Sequence, residues 1–278
     1  MESSILKDWQ FRYMHVFKKR YTNKQKTRFI KSVLSDISQF RDDITVTELK
    51  SDKRHKVRNI YIGNVKKADI VISTYYDTPS KYFGNFQFFN TEKMQKQTLW
   101  VNVLSSLVLL ILGVLYTMYI AIPILNQSNM LLTLLVVAGY LLFFWLLSIA
   151  AGGHPKPTTR VRNSASILYL LQSMNQVKSK KVAFALVDYG CKNSYGLEGL
   201  LAVTKPTSQV YYLDSFASKQ ELFVVPGSET DVPIKEGKRD VTFIISAKKT
   251  DNTYILEEAD LTEVDEEKFA QVDQVLKL

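Results

Sequence analysis

The chain is poor in the residues that build covalent frameworks and metal centres. It has a single cysteine, Cys191. That excludes an intramolecular disulfide and any cysteine-rich zinc site. It has three histidines, His15, His55 and His154, and no two of them stand at HxH or HxxxH spacing. The first twenty residues, MESSILKDWQFRYMHVFKKR, are polar and charged, so no apolar core of a cleavable signal peptide is expected there. Acidic residues are scarce in the first third. Residues 1–96 carry 20 Lys and Arg against 10 Asp and Glu, so this third carries all of the net charge of +9 and the remainder is close to neutral. The basic residues are scattered and no nucleic-acid-binding module surrounds them, so no nucleic-acid partner is expected.

Two stretches lack charge altogether. LWVNVLSSLVLLILGVLYTMYIAIPIL (99–125) and MLLTLLVVAGYLLFFWLLSIA (130–150) each exceed the roughly 20 residues that cross a hydrocarbon core. Trp100, Tyr116, Tyr119 and Trp145 lie within them, some near the ends, as interfacial aromatics do. The polar turn Asn126–Asn129 joins them into a hairpin, with membrane helices expected at about 99–122 and 130–150. Lys93, Lys96, Lys156, Arg160 and Arg162 flank the pair, whereas the turn has no charge. The positive-inside rule then places both termini and all the soluble mass in the cytoplasm of a two-span cell-membrane protein, with the lipid bilayer as one partner.

Outside the hairpin the pattern alternates. KQKTRFIKSVLSDISQF (24–40) sets Phe29, Ile30, Val33, Leu34 and Ile37 on one helical face. Strands are expected at 44–49, 57–62 and 69–73, then at 181–187, 210–213, 222–225 and 241–245. Helices are expected at 164–176, 195–203 and 265–278. This predicts an α/β domain with a mostly parallel sheet and helices on both faces. Residues 1–98 and 151–278 form its two parts, and the hairpin at 99–150 interrupts it. Ligands of such sheets sit at the carboxyl ends of strands. Three strands end in an acid there, Asp77, Asp188 and Asp214, either as a divalent-cation site or as ordinary turn caps.

Several segments occur in an order that resembles one family. These are VRNIYIGNVKKADIVISTYYDTP (57–79), RNSASILYLLQSM (162–174), KKVAFALVDYG (180–190), VYYLDSF (210–216) and LTEVDEEKFAQVDQVLKL (261–278). They are similar to M28 zinc aminopeptidases, in particular a membrane-anchored bacterial branch whose catalytic domain carries a transmembrane hairpin. The resemblance implies a three-layer αβα zinc-peptidase-like domain with a mixed sheet. In the family, two zinc ions are held by two histidines and several carboxylates, and a glutamate serves as general base.

Carried over position by position, most of that apparatus is missing. The first histidine position is Tyr75, and the bridging aspartate falls at Arg162. The Glu-Glu pair falls near Gly190-Cys191, with Glu198 the nearest following acid, and the last histidine falls near Ile255. Asp77 and Asp214 alone match, as vestigial ligand positions. The implied reading is a catalytically degenerate pseudo-peptidase with no catalytic residue, no cofactor and no bound metal. Its former cleft is lined by Tyr75, Asp77, Asn163, Cys191, Asp214 and Tyr254, and it binds a peptide or a membrane-protein partner. Small residues in the hairpin (Ser105, Ser106, Gly113, Ala138, Gly139 and Ser148) would pack against that partner. One alternative is an active zinc-dependent aminopeptidase with relocated ligands, with His154 in a loop that could reach the cleft; Cys191 could act as a nucleophile only beside an activating base and otherwise reads as a small buried residue. Another is a basic protein that binds lipid surfaces through the amphipathic stretch Leu6–Arg20.

Overall fold

A computed structural model describes residues 2–51, 56–127, 129–157, 159–191, 193–230, 241–258 and 261–277. His55 and Ser128 lie outside the described residues. The elements run α1 (Glu2–Phe11), α2 (Asn23–Ile37), β1 (Ile44–Ser51), β2 (Lys56–Ile62), β3 (Ile70–Tyr75), β4 (Phe86–Gln87), α3 (Thr91–Tyr116), α4 (Ile122–Leu125), α5 (Met130–Ala151), α6 (Ala165–Gln176), β5 (Val182–Val187), α7 (Tyr195–Val203), β6 (Gln209–Asp214), β7 (Glu221–Pro226), β8 (Val241–Thr250), β9 (Thr253–Leu256) and α8 (Glu267–Leu276). They form two compact units. One comprises residues 1–79, 84–91 and 156–278; the other comprises 80–83 and 92–155.

The first unit is built on one nine-stranded sheet of order β1-β2-β5-β3-β6-β8-β9-β4, with β7 also paired to β8. Its central strands β5, β3, β6 and β8 run parallel, and antiparallel strands flank them. Period-two alternation sends Ile72, Phe184, Leu213 and Ile244 to one face, where they pack with Phe29, Val33, Leu170 and Val272 of α2, α6 and α8. Val71, Tyr75, Ala185, Tyr212 and Phe243 point to the other face, against Leu197 and Leu200 of α7. The result is a three-layer αβα domain. Each fully buried aliphatic or aromatic side chain of this core contributes about 1.5–3 kcal/mol.

Local signals in the sequence account for several of these elements. Thr22 and Gln25 form a reciprocal capping box ahead of α2, and all six residues of β5, VAFALV, are buried, as a central parallel strand requires. The two-residue β4 and the short β9 carry too little alternation to be expected from pattern. They pair with each other, Phe86 with Leu256 and Gln87 with Ile255.

The stretch Leu6–Arg20 is not a free amphipathic ribbon. Trp9, Tyr13 and Met14 are buried in the core and Arg20 is wholly enclosed, which leaves Phe11 and Val16 as its exposed large apolar side chains. Two of the five flanking cations counted for topology, Lys156 and Arg162, are likewise buried.

The second unit contains two helices long and apolar enough to cross a membrane, spanning Glu92–Leu125 and Met130–Ala151. The first runs from α3 through a π-type turn at Thr117–Ala121 into α4. Asn129 caps α5 by accepting from the amides of Leu131 and Leu132. The expected small faces are partly used within the hairpin. A Cβ at Gly113 would stand 2.6 Å from the Phe143 ring, and one at Gly139 2.6 Å from Cζ of Tyr116. Tyr116 donates to the Val136 carbonyl, and Thr117 and Tyr140 share a 2.8 Å hydrogen bond. Trp100, Tyr119 and Trp145 face outward.

Candidate functional site

The carboxyl ends of β3, β5 and β6 bring Asp77, Asp188 and Asp214 to one edge of the sheet, as the sequence predicts. Each carboxylate is engaged differently.

Asp77 is buried just past β3. Its carboxylate accepts the amides of Gly190 (2.8 Å) and Cys191 (3.3 and 3.4 Å). Its carbonyl accepts from Asn163 Nδ2 at 2.6 Å and from Cys191 Sγ at 3.3 Å. Burial, with the nearby Asp188 charge as the second cause, pushes the Asp77 carboxyl up to about 7; Lys26 and the two amides oppose the shift.

Asp188 is fully buried and paired with Lys26, whose ammonium lies 2.9 and 2.8 Å from its two oxygens and 4.4 Å from the Tyr189 ring centroid. The start of α7 presses on the same point, since a Cβ at Gly196 would fall 2.8 Å from the Asp188 amide nitrogen. Such a pair is costly to desolvate and very costly to break.

Asp214 is half-buried. Its Oδ1 accepts from Tyr75 Oη at 2.8 Å and from Ser215 Oγ at 2.6 Å. The Tyr75 hydroxyl also lies 3.0 Å from the Arg162 carbonyl, and its ring stacks on Tyr212 at 6.0 Å. Tyr75 is 1% exposed. Burial pushes its phenol well above the usual range, and the neighbouring Arg162 charge only partly opposes that.

Around these acids stand buried cations. Arg20 is completely enclosed and donates to the Tyr76 carbonyl at 2.5 Å, to the Phe17 carbonyl, to Asn163 Oδ1 at 2.6 Å and to Ser164 Oγ at 3.2 Å. Its burial lowers the guanidinium pKa to about 10. The Arg162 guanidinium lies 3.4 Å from the Phe86 ring centroid and within hydrogen-bonding reach of the Cys191 sulfur. Cys191 is half-buried, and desolvation followed by the Asp77 charge raises its thiol well above the ordinary value, the opposite of an activated nucleophile.

Tyr75, Asp77, Asn163, Cys191 and Asp214 are thus brought together in one hydrogen-bonded cluster. Tyr254 packs instead on the rings of Phe89 and Phe223. Ile255 sits in β9 between Lys248 and Gln87, and Glu198 is half-buried in the first turn of α7. His15 is exposed and stacked on Phe11, while the His154 carbonyl accepts the Lys81 amide at 2.6 Å.

Arg20 and Lys26 were not foreseen. Lys26 carried a readable signal, because it stands three and four residues before Phe29 and Ile30 on the apolar stripe of α2. A cation on such a stripe needs a buried anion. Arg20 carried none, since it belongs to a loop whose position only the tertiary fold fixes.

The donor set does not fit a divalent metal. Asp77 spends its oxygens on amides, Asp188 on Lys26 and Asp214 on two hydroxyls, and the Arg162 cation stands beside them. Among the described residues no group of three or more His, Cys, Asp or Glu is placed to hold a metal ion.

No protein-family model and no curated protein matches the sequence. Solved structures do resemble the fold. A Zn-dependent exopeptidase from Parabacteroides distasonis superposes with a TM-score of 0.53 at 10% identity, over 97% of this chain and 95% of that one. A glutaminyl cyclase from Bacteroides thetaiotaomicron bound to N-acetylhistamine gives a TM-score of 0.43 at 12% identity, over 80% of this chain and 66% of that one, just under two thirds of its length. At such identities the likeness extends to the fold alone: a mixed α/β, zinc-peptidase-like architecture.

Proposed function

We propose that the chain is a membrane-anchored protein of zinc-peptidase-like fold that has given up peptidase chemistry and acts by binding, as an accessory subunit for a membrane protein or a peptide. The observation that carries this reading is the Tyr75–Asp214 hydrogen bond. Where the resemblance places a metal-binding histidine, a buried phenol is bonded to one of the two acids that match the family pattern. Gly190, where the resemblance places an acid, supports the same reading, because Tyr75 and Tyr212 fill the space beyond its Cα. A phenol kept protonated at neutral pH is a poor zinc ligand, and without a general base hydrolysis loses about 10²–10⁴-fold before the metals are counted.

The test is elemental analysis of the detergent-purified chain after dialysis against micromolar zinc, run beside an aminoacyl-substrate assay. Far less than one zinc per chain and no hydrolysis are expected. About two zinc ions per chain, with hydrolysis that Asp77→Ala or Asp214→Ala abolishes, would establish a zinc aminopeptidase with relocated ligands instead.

The anchor orientation belongs to the same proposal. Lys93 and Lys96 stand in the first turns of α3, ahead of its uncharged run, while the connecting turn is uncharged, so the αβα unit faces the cytoplasm. A Gln127→Cys probe in a Cys191→Ser background should react with a membrane-impermeant maleimide in intact cells. Labelling only after the cells are opened would reverse the orientation.

A further inference from the structure

A depression of about 340 Å³ lies in the αβα unit, and none of the three strand-end acids is among its lining residues. It is lined by Met14, Lys18, Pro157, Thr159, Arg160 and Thr262. That volume falls in the range of small-molecule sites, roughly 300–1,000 Å³.

Two features bear on what it can hold. The first is its charge. Lys18 and Arg160 both face it, no acid is among its lining residues, and among the described residues neither cation enters an ion pair. Lys205 and Lys219, by contrast, each have an acid within ion-pair distance, Asp69 and Glu263.

The second is its anchoring. Buried Thr159 donates its hydroxyl to the Lys18 carbonyl at 2.9 Å, which ties the two cation-bearing segments together. The amides of Asn163 and Ser164 return to the Thr159 carbonyl, and Arg20 and Thr78 bond each other reciprocally just beyond Lys18. Two like charges are therefore held on a braced backbone around one space. Their repulsion is relieved when an anion enters.

We propose that this depression binds a dianionic phosphate monoester. Two cations balance a charge of minus two, whereas a carboxylate would leave one of them unmatched. A guanidinium fork and an ammonium point charge lining one depression suit a tetrahedral oxyanion with three free oxygens. Exposed Pro157, backed by the buried Met14, gives the ester's carbon body an apolar edge to lie against. The phosphate can come from a lipid headgroup such as phosphatidic acid or from a soluble monoester. Pro157 follows the second apolar helix by six residues in sequence, so both sources are tested.

The experiment is calorimetric titration of the full chain in neutral detergent at ~0.15 M salt, with glycerol 3-phosphate, short-chain phosphatidic acid and short-chain phosphatidylglycerol as separate ligands. Saturable binding of one phosphomonoester per chain is expected, weakened about 10–100-fold by Lys18→Ala or Arg160→Ala. The control Lys24→Ala, an exposed cation outside the depression, should leave it unchanged. Binding of phosphatidic acid alone identifies the headgroup as the source; equal binding of glycerol 3-phosphate identifies the free ester. The proposal fails if neither monoester saturates, if phosphatidylglycerol binds as tightly as phosphatidic acid, or if Lys24→Ala weakens binding as much as Lys18→Ala. All three substitutions are at exposed positions, and matching thermal melts will show that the fold is kept.

Discussion

The Tyr75 hydroxyl lies 2.8 Å from Asp214 Oδ1 and 3.0 Å from the Arg162 carbonyl, so one phenol ties the ends of β3 and β6 to the turn that leads into α6. Both acceptors keep a second donor on Ser215, its hydroxyl for Asp214 and its amide for the Arg162 carbonyl. Tyr75→Phe should therefore cost only about 1–2 kcal/mol, the worth of the lost hydrogen bonds to a charged and a neutral acceptor. Denaturant unfolding should show a lower midpoint with an unchanged slope. An unchanged midpoint would mean that the phenol ties nothing together.

Gly190 makes room for that phenol. A Cβ added there would overlap Tyr75 Cβ and stand 2.5 Å from both Tyr75 Cγ and the Tyr212 hydroxyl. The obstruction is the root of a buried side chain on a central strand, which cannot swing away. Gly190→Ala should destabilise by about 1–3 kcal/mol, as overpacking does. Pairing it with Tyr75→Ala should restore part of the loss relative to the sum of the single changes, and a strictly additive double mutant would refute the steric coupling.

Lys26 and Asp188 are 3% and 0% exposed, and the pair is bidentate. Lys26→Met removes the cation and strands a buried carboxylate, at a cost of about 3–5 kcal/mol. The double change Lys26→Met with Asp188→Asn removes both charges and should recover much of that loss. Thermal melts of the four proteins give the coupling directly. If the single and double variants melt together, the pair is not what holds α2 against the end of β5.

Much of this architecture was legible in the sequence, and the reasons are physical. The two uncharged runs, the all-apolar VAFALV and the stripe of α2 are each fixed by a local period or by length. The edge pair β4 and β9 was not legible, because two to four residues carry no period. Within the candidate site the strand-end acids Asp77, Asp188 and Asp214 could be named, since strand ends follow from the pattern. Their partners could not. Arg20 reaches Asn163 across 143 positions and Lys26 reaches Asp188 across 162, separations that no local spacing encodes.

The pH dependence of stability isolates Asp77. Burial and the charge of Asp188 raise its carboxyl from the ordinary 3.8 to about 7 in the folded chain, against the opposing pull of Lys26 and the amides of Gly190 and Cys191. The folded state thus holds this proton more tightly than the unfolded chain does. The contribution of Asp77 is fully present below about pH 3.8 and is lost progressively as the pH rises through about 7. Asp77→Asn keeps an acceptor for the two amides and cannot ionise. The stability of the native chain relative to Asp77→Asn should therefore fall between about pH 4 and pH 7 and level off above that window. Denaturant titrations of both proteins at stepped pH measure this difference, and Asp43, Asp69 and the other acids cancel between them. A native chain that gains stability over Asp77→Asn across the same window would mean that the two amides, and not desolvation, govern this carboxylate.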